Sequence, residues 1–245
     1  VLMARIVLDS EIYRNYYLLM MMDIDSKKVR WFEMFDGKPF DVIEVVKILA
    51  SHELISFNGN HFDMPLLGQV LAGANCAHVK SLVEKIIVEG KRPWELGLEP
   101  PAGINHIDLI EVAPGQASLK IYGGRMHCPT MQDLPIDHDA DITVEQREVL
   151  RRYCQNDLEL TEMLFRKLEP QIELRRKMSK EYGIDLRSRS DAQIAEVVIY
   201  QEVVMPKKYP REVRRAVCER LLNGDPRSTV ARDTGIGIAT LSRWR

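Results

Sequence analysis

Cysteine is scarce in this 245-residue chain: there are four, at positions 76, 128, 154 and 218, with no CxxC and no paired spacing. That pattern offers no disulfide framework and reads as free thiols in a reducing cytosol. Long apolar runs are missing as well. Leu18–Met22 is too short to cross a bilayer and reads as a buried strand, and Val1-Leu2-Met3-Ala4-Arg5 leads straight into a strand-like run without a signal peptide. The expectation is a cytoplasmic protein with no membrane partner. Nor is there an overall excess of one charge, the net being −2. That near-balance hides an asymmetry, because residues 206–245 hold ten Lys/Arg against four acids (net +6) and the remaining residues carry net −8. A small basic tail on a larger acidic body predicts two modules with different partners.

What is present is an ordinary apolar content of 45%, enough for one sizeable domain with a core. Residues 4–9 read as a first strand, apolar through Ile6-Val7-Leu8 and ending in Asp9-Ser10-Glu11. Two residues apart on a strand, the carboxylates of Asp9 and Glu11 share a face and repel each other, which calls for a cation or a shared proton. Taken alone, so short a pattern fits solvated acids at an exposed strand end equally well. Tyr16–Met22 and Lys28–Phe35 continue as an antiparallel meander, Asp41 caps a helix over 41–51, and Leu54–Phe57 reads as a buried strand. Asn58-Gly59-Asn60-His61-Phe62-Asp63 then turns into a helix, which puts Asp63 at the C-terminal edge of the sheet, either as a site residue or as the helix cap. His61 reads as a surface or supporting residue, and Asp108, ending a strand at His106–Ile110, as a structural one. A helix is expected over 78–89, a Pro/Gly-rich loop over 90–105, and a solvated loop around Asp133, Asp137, Asp139 and Asp141.

The chain is organised around Tyr153-Cys154-Gln155-Asn156-Asp157. Thr143 caps a helix that runs to about Leu168, where Pro170 is expected to break it, with a polar helix resuming to Gly183 and another over Ser190–Ile199. Tyr153 and Asp157 lie one turn apart on one face, close to the stripe of Val149, Leu150, Leu160 and Leu164. A carboxylate aimed inward needs compensation, and a metal held jointly with Asp9, Glu11 and Asp63 would supply it. Two divalent ions roughly 3.5–4 Å apart suit such an all-oxygen cage: together they would activate a water and stabilise a leaving 3′-oxygen. Tyr153 could orient the attacking water.

Asp-Ser-Glu after a first strand, Asn-Gly-Asn-His-Phe-Asp after a later one and Tyr-Cys-Gln-Asn-Asp on a late helix resemble, in order and spacing, the three motifs of the DEDDy 3′–5′ exonucleases. That family includes the proofreading domain of family B DNA polymerases. The resemblance covers about residues 4–170. It implies an α/β fold, a ribonuclease H-like mixed sheet flanked by helices, with two Mg²⁺ or Mn²⁺ ions as cofactors. It also implies Asp9, Glu11, Asp63 and Asp157 as metal ligands, Tyr153 as the water-positioning residue, and Asn58 and Phe62 as contacts to a single-stranded DNA 3′ end. Where the family often carries Thr after the Glu, this chain has Ile12, which removes a hydroxyl contact to substrate without touching the cage. Leu119–Arg125 and Ser190–Glu196 look like segments of phage polymerase-type proteins; no polymerase palm follows, so polymerase activity is not expected.

Residues 206–245 change character, and the expected domains are 1–170, 171–205 and 206–245. Pro210 opens a helix with Val213, Val217, Leu221 and Leu222 at helical spacing and Gly224 at its end. A short helix follows from Ser228, then Gly235-Ile236 and a third helix from Ala239, with Ala231, Ile236 and Leu241 packing the corner. This small all-α tail resembles the helix-turn-helix of insertion-sequence transposases, which implies duplex DNA as partner and Thr240, Ser242 and Arg243 as groove-facing residues. The segment begins abruptly near Val204–Lys207, stops inside or just after the third helix, and no DDE catalytic domain follows. Fusion by a mobile element and an evolved DNA-binding accessory both account for it. Two functions are therefore weighed: a metal-dependent 3′–5′ exodeoxyribonuclease, and a non-catalytic, transposition-related DNA-binding protein whose first domain is a relic. RNA in place of DNA stays chemically open.

Overall fold

The computed structural model describes residues 3–115, 117–200 and 211–242. It divides into two units, 1–192 and 193–245. The boundary expected at residue 170 falls inside a helix, and that expected at 205/206 lies outside the described residues.

Unit 1 is built on a five-stranded mixed sheet in the order β3-β2-β1-β4-β5, from β1 (Arg5–Tyr13), β2 (Tyr16–Asp23), β3 (Val29–Phe35), β4 (Glu53–Ser56) and β5 (Asn105–Asp108). The first three strands form an antiparallel meander, and β4 and β5 run parallel to β1. Side-chain alternation splits β2 cleanly. Tyr16, Leu18, Met20 and Met22 pack into one core, and Tyr17, Leu19 and Met21 into the other. A strand buried on both faces has to be apolar throughout, which explains the Leu-Met run.

Helices cover both faces. The core holding Tyr17 is closed by residues of α1 (Val42–Ser51), α2 (Asp63–Leu71) and α3 (Cys76–Ile87). The core holding Tyr16 is closed by α4 (Leu119–Arg125) and α5 (Val144–Tyr182). Asp41 caps α1 by accepting from the Glu44 N–H, and Thr143 with Gln146 forms a reciprocal capping box on α5. A 3-10 turn, Pro93–Leu96, lies within the Pro/Gly-rich loop. Helix α6 (Asp191–Ile199) begins at the divide between the units.

Three expectations are corrected. The first strand does not end at Asp9; it continues to Tyr13, because β2 pairs with it along its whole length from Ile6 to Tyr13. Helix α5 is not broken at Pro170 but is continuous over its 39 residues to its cap at Gly183 (φ 67°). An internal proline costs a helix about 3 kcal/mol. Here its ring is exposed, so water can satisfy the freed carbonyl, and Leu168, Ile172 and Arg175 hold the buried side on either side of it. Lastly, Val149 is 44% exposed and does not belong to the inward stripe, whereas Leu150, Leu160 and Leu164 do.

Unit 2 contains α7 (Arg211–Leu222), α8 (Arg227–Thr234) and α9 (Ile238–Ser242). Val217, Val230, Ile236 and Leu241 form its small core, with Leu221 and Ala231 against them. Gly235 ends α8 in the left-handed region (φ 69°), a conformation without penalty only for glycine. Arg220, on α7, pairs with Asp225 in the connecting segment (2.7 Å) and with Asp233 on α8 (2.9 Å). Val213 and Leu222, expected on the packed stripe, are exposed instead.

Candidate metal centre

The site grows from the alternation of β1. Val7 and Tyr13 face the α5 side, so Asp9 and Glu11, at the same parity, face it too, while Ile6, Leu8 and Ile12 pack on the other side with Ser10 at their parity. The position where a threonine would stand is thus turned away from the two acids, and Ile12 is packed core. The partners of β1 differ in length: β4 pairs only with Arg5–Val7, whereas β2 follows β1 to its end. Beyond Val7 that flank of β1 has no strand partner among the described residues, and the two acids stand on this stretch.

On α5, Leu150, Cys154 and Leu158 pack in the core, and Tyr153 and Asp157 flank them one turn apart. The Cys154 thiol reaches Asp9, with Sγ 3.5 Å from Oδ2. Donor atoms of Asp9, Glu11 and Cys154 lie within 4.8 Å of one another. Asp157 stands next to this group, its carboxylate touched by the Asn156 amide (3.5 Å) and close to the Tyr153 hydroxyl.

Asp63 arrives by a different route. The chain leaves β4 at Ser56 and reaches α2 through the turn 58–62. Asp108, buried at the end of β5, holds that turn by accepting from the backbone N–H groups of Asn58 (2.7 Å), Asn60 (2.9 Å) and Ile110 (3.1 Å). A side chain at Gly59 would collide with Ser56, and Asn58 adopts φ 63°. Asp63 is then the first residue of α2. Phe62 is the residue before the helix and supplies no side-chain cap, so Asp63 does not serve as the N-cap. Its carboxylate is buried and accepts from the Ser10 hydroxyl.

Electrostatics join the four acids. Asp9 is held well above the ordinary carboxylate range, first by burial and then by repulsion from Asp63, Glu11 and Asp157. Glu11 is likewise raised by burial and by Asp157 and Asp63. Burial raises Asp157, and it lifts Asp63 to about 6 against the pull of the Ser10 hydroxyl. Buried carboxylates that repel one another are a poor stabilising device and a good cation trap. The donor set is mainly hard oxygen, which suits Mg²⁺ or Mn²⁺ and so fits the expected cofactor.

Comparison with protein-family models, with curated proteins and with solved structures gives no match for this chain.

Asp9, Glu11, Tyr153 and Asp157 therefore gather at one place, with Asp63 joined to them through the field and through Ser10. Asn58 and Phe62 lie on the turn that delivers Asp63 and line a neighbouring cleft. Thr240 and Ser242 belong to the other unit, and Arg243 lies outside the described residues. His61 packs edge-on against Trp94 (centroids 6.1 Å apart). In the acidic loop, Asp137, His138 and Asp139 are exposed, and Asp139 pairs with Lys80 at 3.1 Å. Two neighbours of the site were not anticipated. Lys120, on α4, lowers both Glu11 and Asp157 and sits 5.5 Å from the centre of the Tyr153 ring and 3.5 Å from Asp133. Cys154 was readable in principle, since it precedes Asp157 by three residues on the helix; Lys120 lies in the stretch Leu119–Arg125, whose pattern alone does not point to the acids.

Proposed function

We propose that this chain is a metal-dependent 3′–5′ exonuclease acting on the 3′ end of single-stranded DNA. The observation that carries this reading is the convergence of four carboxylates from three separate elements, all raised by burial and Asp9 and Glu11 raised further by the charge of the others, with Tyr153 one helical turn before Asp157. A five-stranded mixed sheet covered by helices is the architecture a ribonuclease H-like domain requires, and supports it further.

Asp9, Glu11, Asp63 and Asp157 would hold two Mg²⁺ or Mn²⁺ ions, which when bound lower the pKa of a water and stabilise developing charge on a leaving 3′-oxygen. Tyr153 is raised far above its ordinary range by burial and by Asp157, Glu11 and Asp9. It is therefore a neutral phenol, fit to donate or accept a hydrogen bond and so orient a water, and unfit to act as an anionic base. Lys120 supplies a fixed positive charge beside the ring, where a scissile phosphate would otherwise meet only acids. Asn58 and Phe62 would hold the terminal nucleotides against the turn that carries Asp63.

The test is degradation of a 5′-labelled single-stranded DNA with Mg²⁺ or Mn²⁺, beside an Asp9→Ala/Glu11→Ala variant and an RNA of the same sequence. The expected result is a ladder shortening from the 3′ end, absent with chelator and in the variant. Intact substrate with folded, metal-supplied protein refutes the reading, and the RNA lane decides the sugar.

For unit 2 the reading is a helix-turn-helix that binds duplex DNA, supported by its separate core and by the left-handed glycine between α8 and α9. Thr240 and Ser242 lie on α9, and the Ser242 hydroxyl bonds back to the Ile238 carbonyl at 3.0 Å. Salt-dependent retention of duplex by the Asp9→Ala/Glu11→Ala protein, lost in Thr240→Glu/Ser242→Glu, tests it.

A further inference from the structure

Beside the turn 58–62 lies a cleft of about 450 Å³. Asn58, His61 and Phe62 form one wall, and the other is made by the end of α3 and the segment Gly90–Pro93. At its rim, Trp94 is 62% exposed, an expensive place for an indole unless something covers it. The ring is presented by the structure around it. Pro93 is buried, the Glu95 carboxylate accepts from the Arg92 N–H at 2.7 Å, and Gly97 closes the 3-10 turn at φ 66°. The His61 ring meets Trp94 edge-on at 62°, and the Arg92 guanidinium lies over it with Cζ 5.5 Å from the centroid. Among the described residues Arg92 forms no ion pair, while Lys91 shares its charge with Glu89 at 3.3 Å.

An exposed indole, a second aromatic at its edge and an unpaired guanidinium are the components with which proteins hold single-stranded nucleic acid: rings for the bases, a cation for the backbone. Both sites share one short turn, since Phe62 lines the cleft and the next residue is Asp63. We propose that this cleft is a base-stacking subsite for single-stranded DNA, in which Trp94 takes a base upstream of the 3′ end and Arg92 its phosphate. The proposal deepens the exonuclease reading, because it extends the same strand away from the acids.

The experiment uses the full chain with Trp31→Phe and Trp244→Phe, so that Trp94 is the only indole. A 12-nucleotide oligothymidylate is added in chelator to prevent cleavage, and Trp94 emission is read beside the anisotropy of a labelled copy. Saturable quenching is expected, and Trp94→Ala in the natural chain should weaken anisotropy-detected binding about tenfold, the effect of losing one stacked base. Trp31→Ala, on the far strand β3, should bind as the natural chain does. Binding without quenching, or undiminished affinity of Trp94→Ala, overturns the subsite. If the natural chain degrades DNA and either of those results is found, the subsite alone fails. Quenching by a protein that never cleaves keeps the subsite and refutes the nuclease, and a protein that neither binds nor cleaves refutes both.

Discussion

Asp108→Asn probes the link between the sheet and the centre. The carboxylate takes three backbone N–H groups, those of Asn58 and Ile110 on Oδ1 and that of Asn60 on Oδ2. An amide of the same shape keeps one acceptor oxygen and replaces the other with a donor. If the oxygen stays toward Asn58 and Ile110, the new NH₂ faces the Asn60 N–H, donor against donor. An unsatisfied buried donor costs about 1–3 kcal/mol, and the two remaining bonds lose the strength of a charged acceptor. A loss of about 3 kcal/mol overall, with a urea slope of about 3 kcal/mol per M, lowers the midpoint by about 1 M. The functional loss should be larger than the thermodynamic one, because the strained bond pattern sits on the turn that seats Asp63. A displacement on the order of 1 Å there costs about a hundredfold in rate. Denaturation in urea and initial rates on labelled DNA, taken on the same preparation, give both numbers. Natural stability together with natural activity would show that the turn does not need the carboxylate, and would remove the structural role assigned to Asp108.

Other perturbations separate the remaining parts. His106 donates through Nδ1 to Asn60 (3.1 Å) and accepts from the Ser56 hydroxyl at Nε2 (2.8 Å), and burial together with Arg187 lowers its pKa to about 4. Unfolded, it titrates near 6.5, so between those values the unfolded chain binds the extra proton; His106 should therefore add about 3 kcal/mol of stability above pH 6.5 that is lost as pH falls to 4, and His106→Gln should flatten that difference in paired melts. Lys120→Met should lower kcat/KM at least tenfold on labelled DNA with Lys120→Arg partly restoring it, and an unchanged rate would remove its role. Glu53 is buried between Arg176 (2.5 Å) and Arg187 (3.1 Å), so Arg176→Ala/Arg187→Ala should cost about 3–5 kcal/mol in urea denaturation, whereas the exposed pair Arg30–Glu44 should cost under about 1 kcal/mol.

What the sequence disclosed depended on how local the cause was. Strand alternation, the caps Asp41 and Thr143 and the stop at Gly183 are written within a few residues, and each is where its pattern puts it. Pro170 failed as a stop because a local penalty of about 3 kcal/mol was outweighed by the packing on both sides of it, which no window of sequence contains. The end of the first strand was misplaced for a similar reason: Asp9-Ser10-Glu11 looks like a polar end, but the strand's length is set by its hairpin partner β2. The four acids were legible because each belongs to a short local pattern: Asp9 and Glu11 two apart on a strand, Asp63 after a polar turn, and Asp157 one helical turn from Tyr153. Lys120 was not, because its relation to Tyr153 exists only after α4 docks on α5.

The origin of the centre lies in that mismatch of partners. A strand paired on both sides would bury its side chains under the layers above and below, and an acid there would be an error. Here β4 stops pairing at Val7, two residues before Asp9, and the chain turns away to start α2. Below that level β1 is paired on both sides; above it, one flank has no strand partner among the described residues while β2 still pairs through Tyr13. Asp9 and Glu11 therefore stand on backbone held by one strand partner, with α5 on their face and the Asp108-braced turn delivering Asp63. Because the scaffold does not depend on the acids for its pairing, replacing them should relieve repulsion. Asp9→Asn/Glu11→Gln should melt at or above the natural temperature without metal while losing stabilisation by added Mn²⁺, and a cooperative loss of fold in that variant would show instead that the carboxylates hold the sheet edge together.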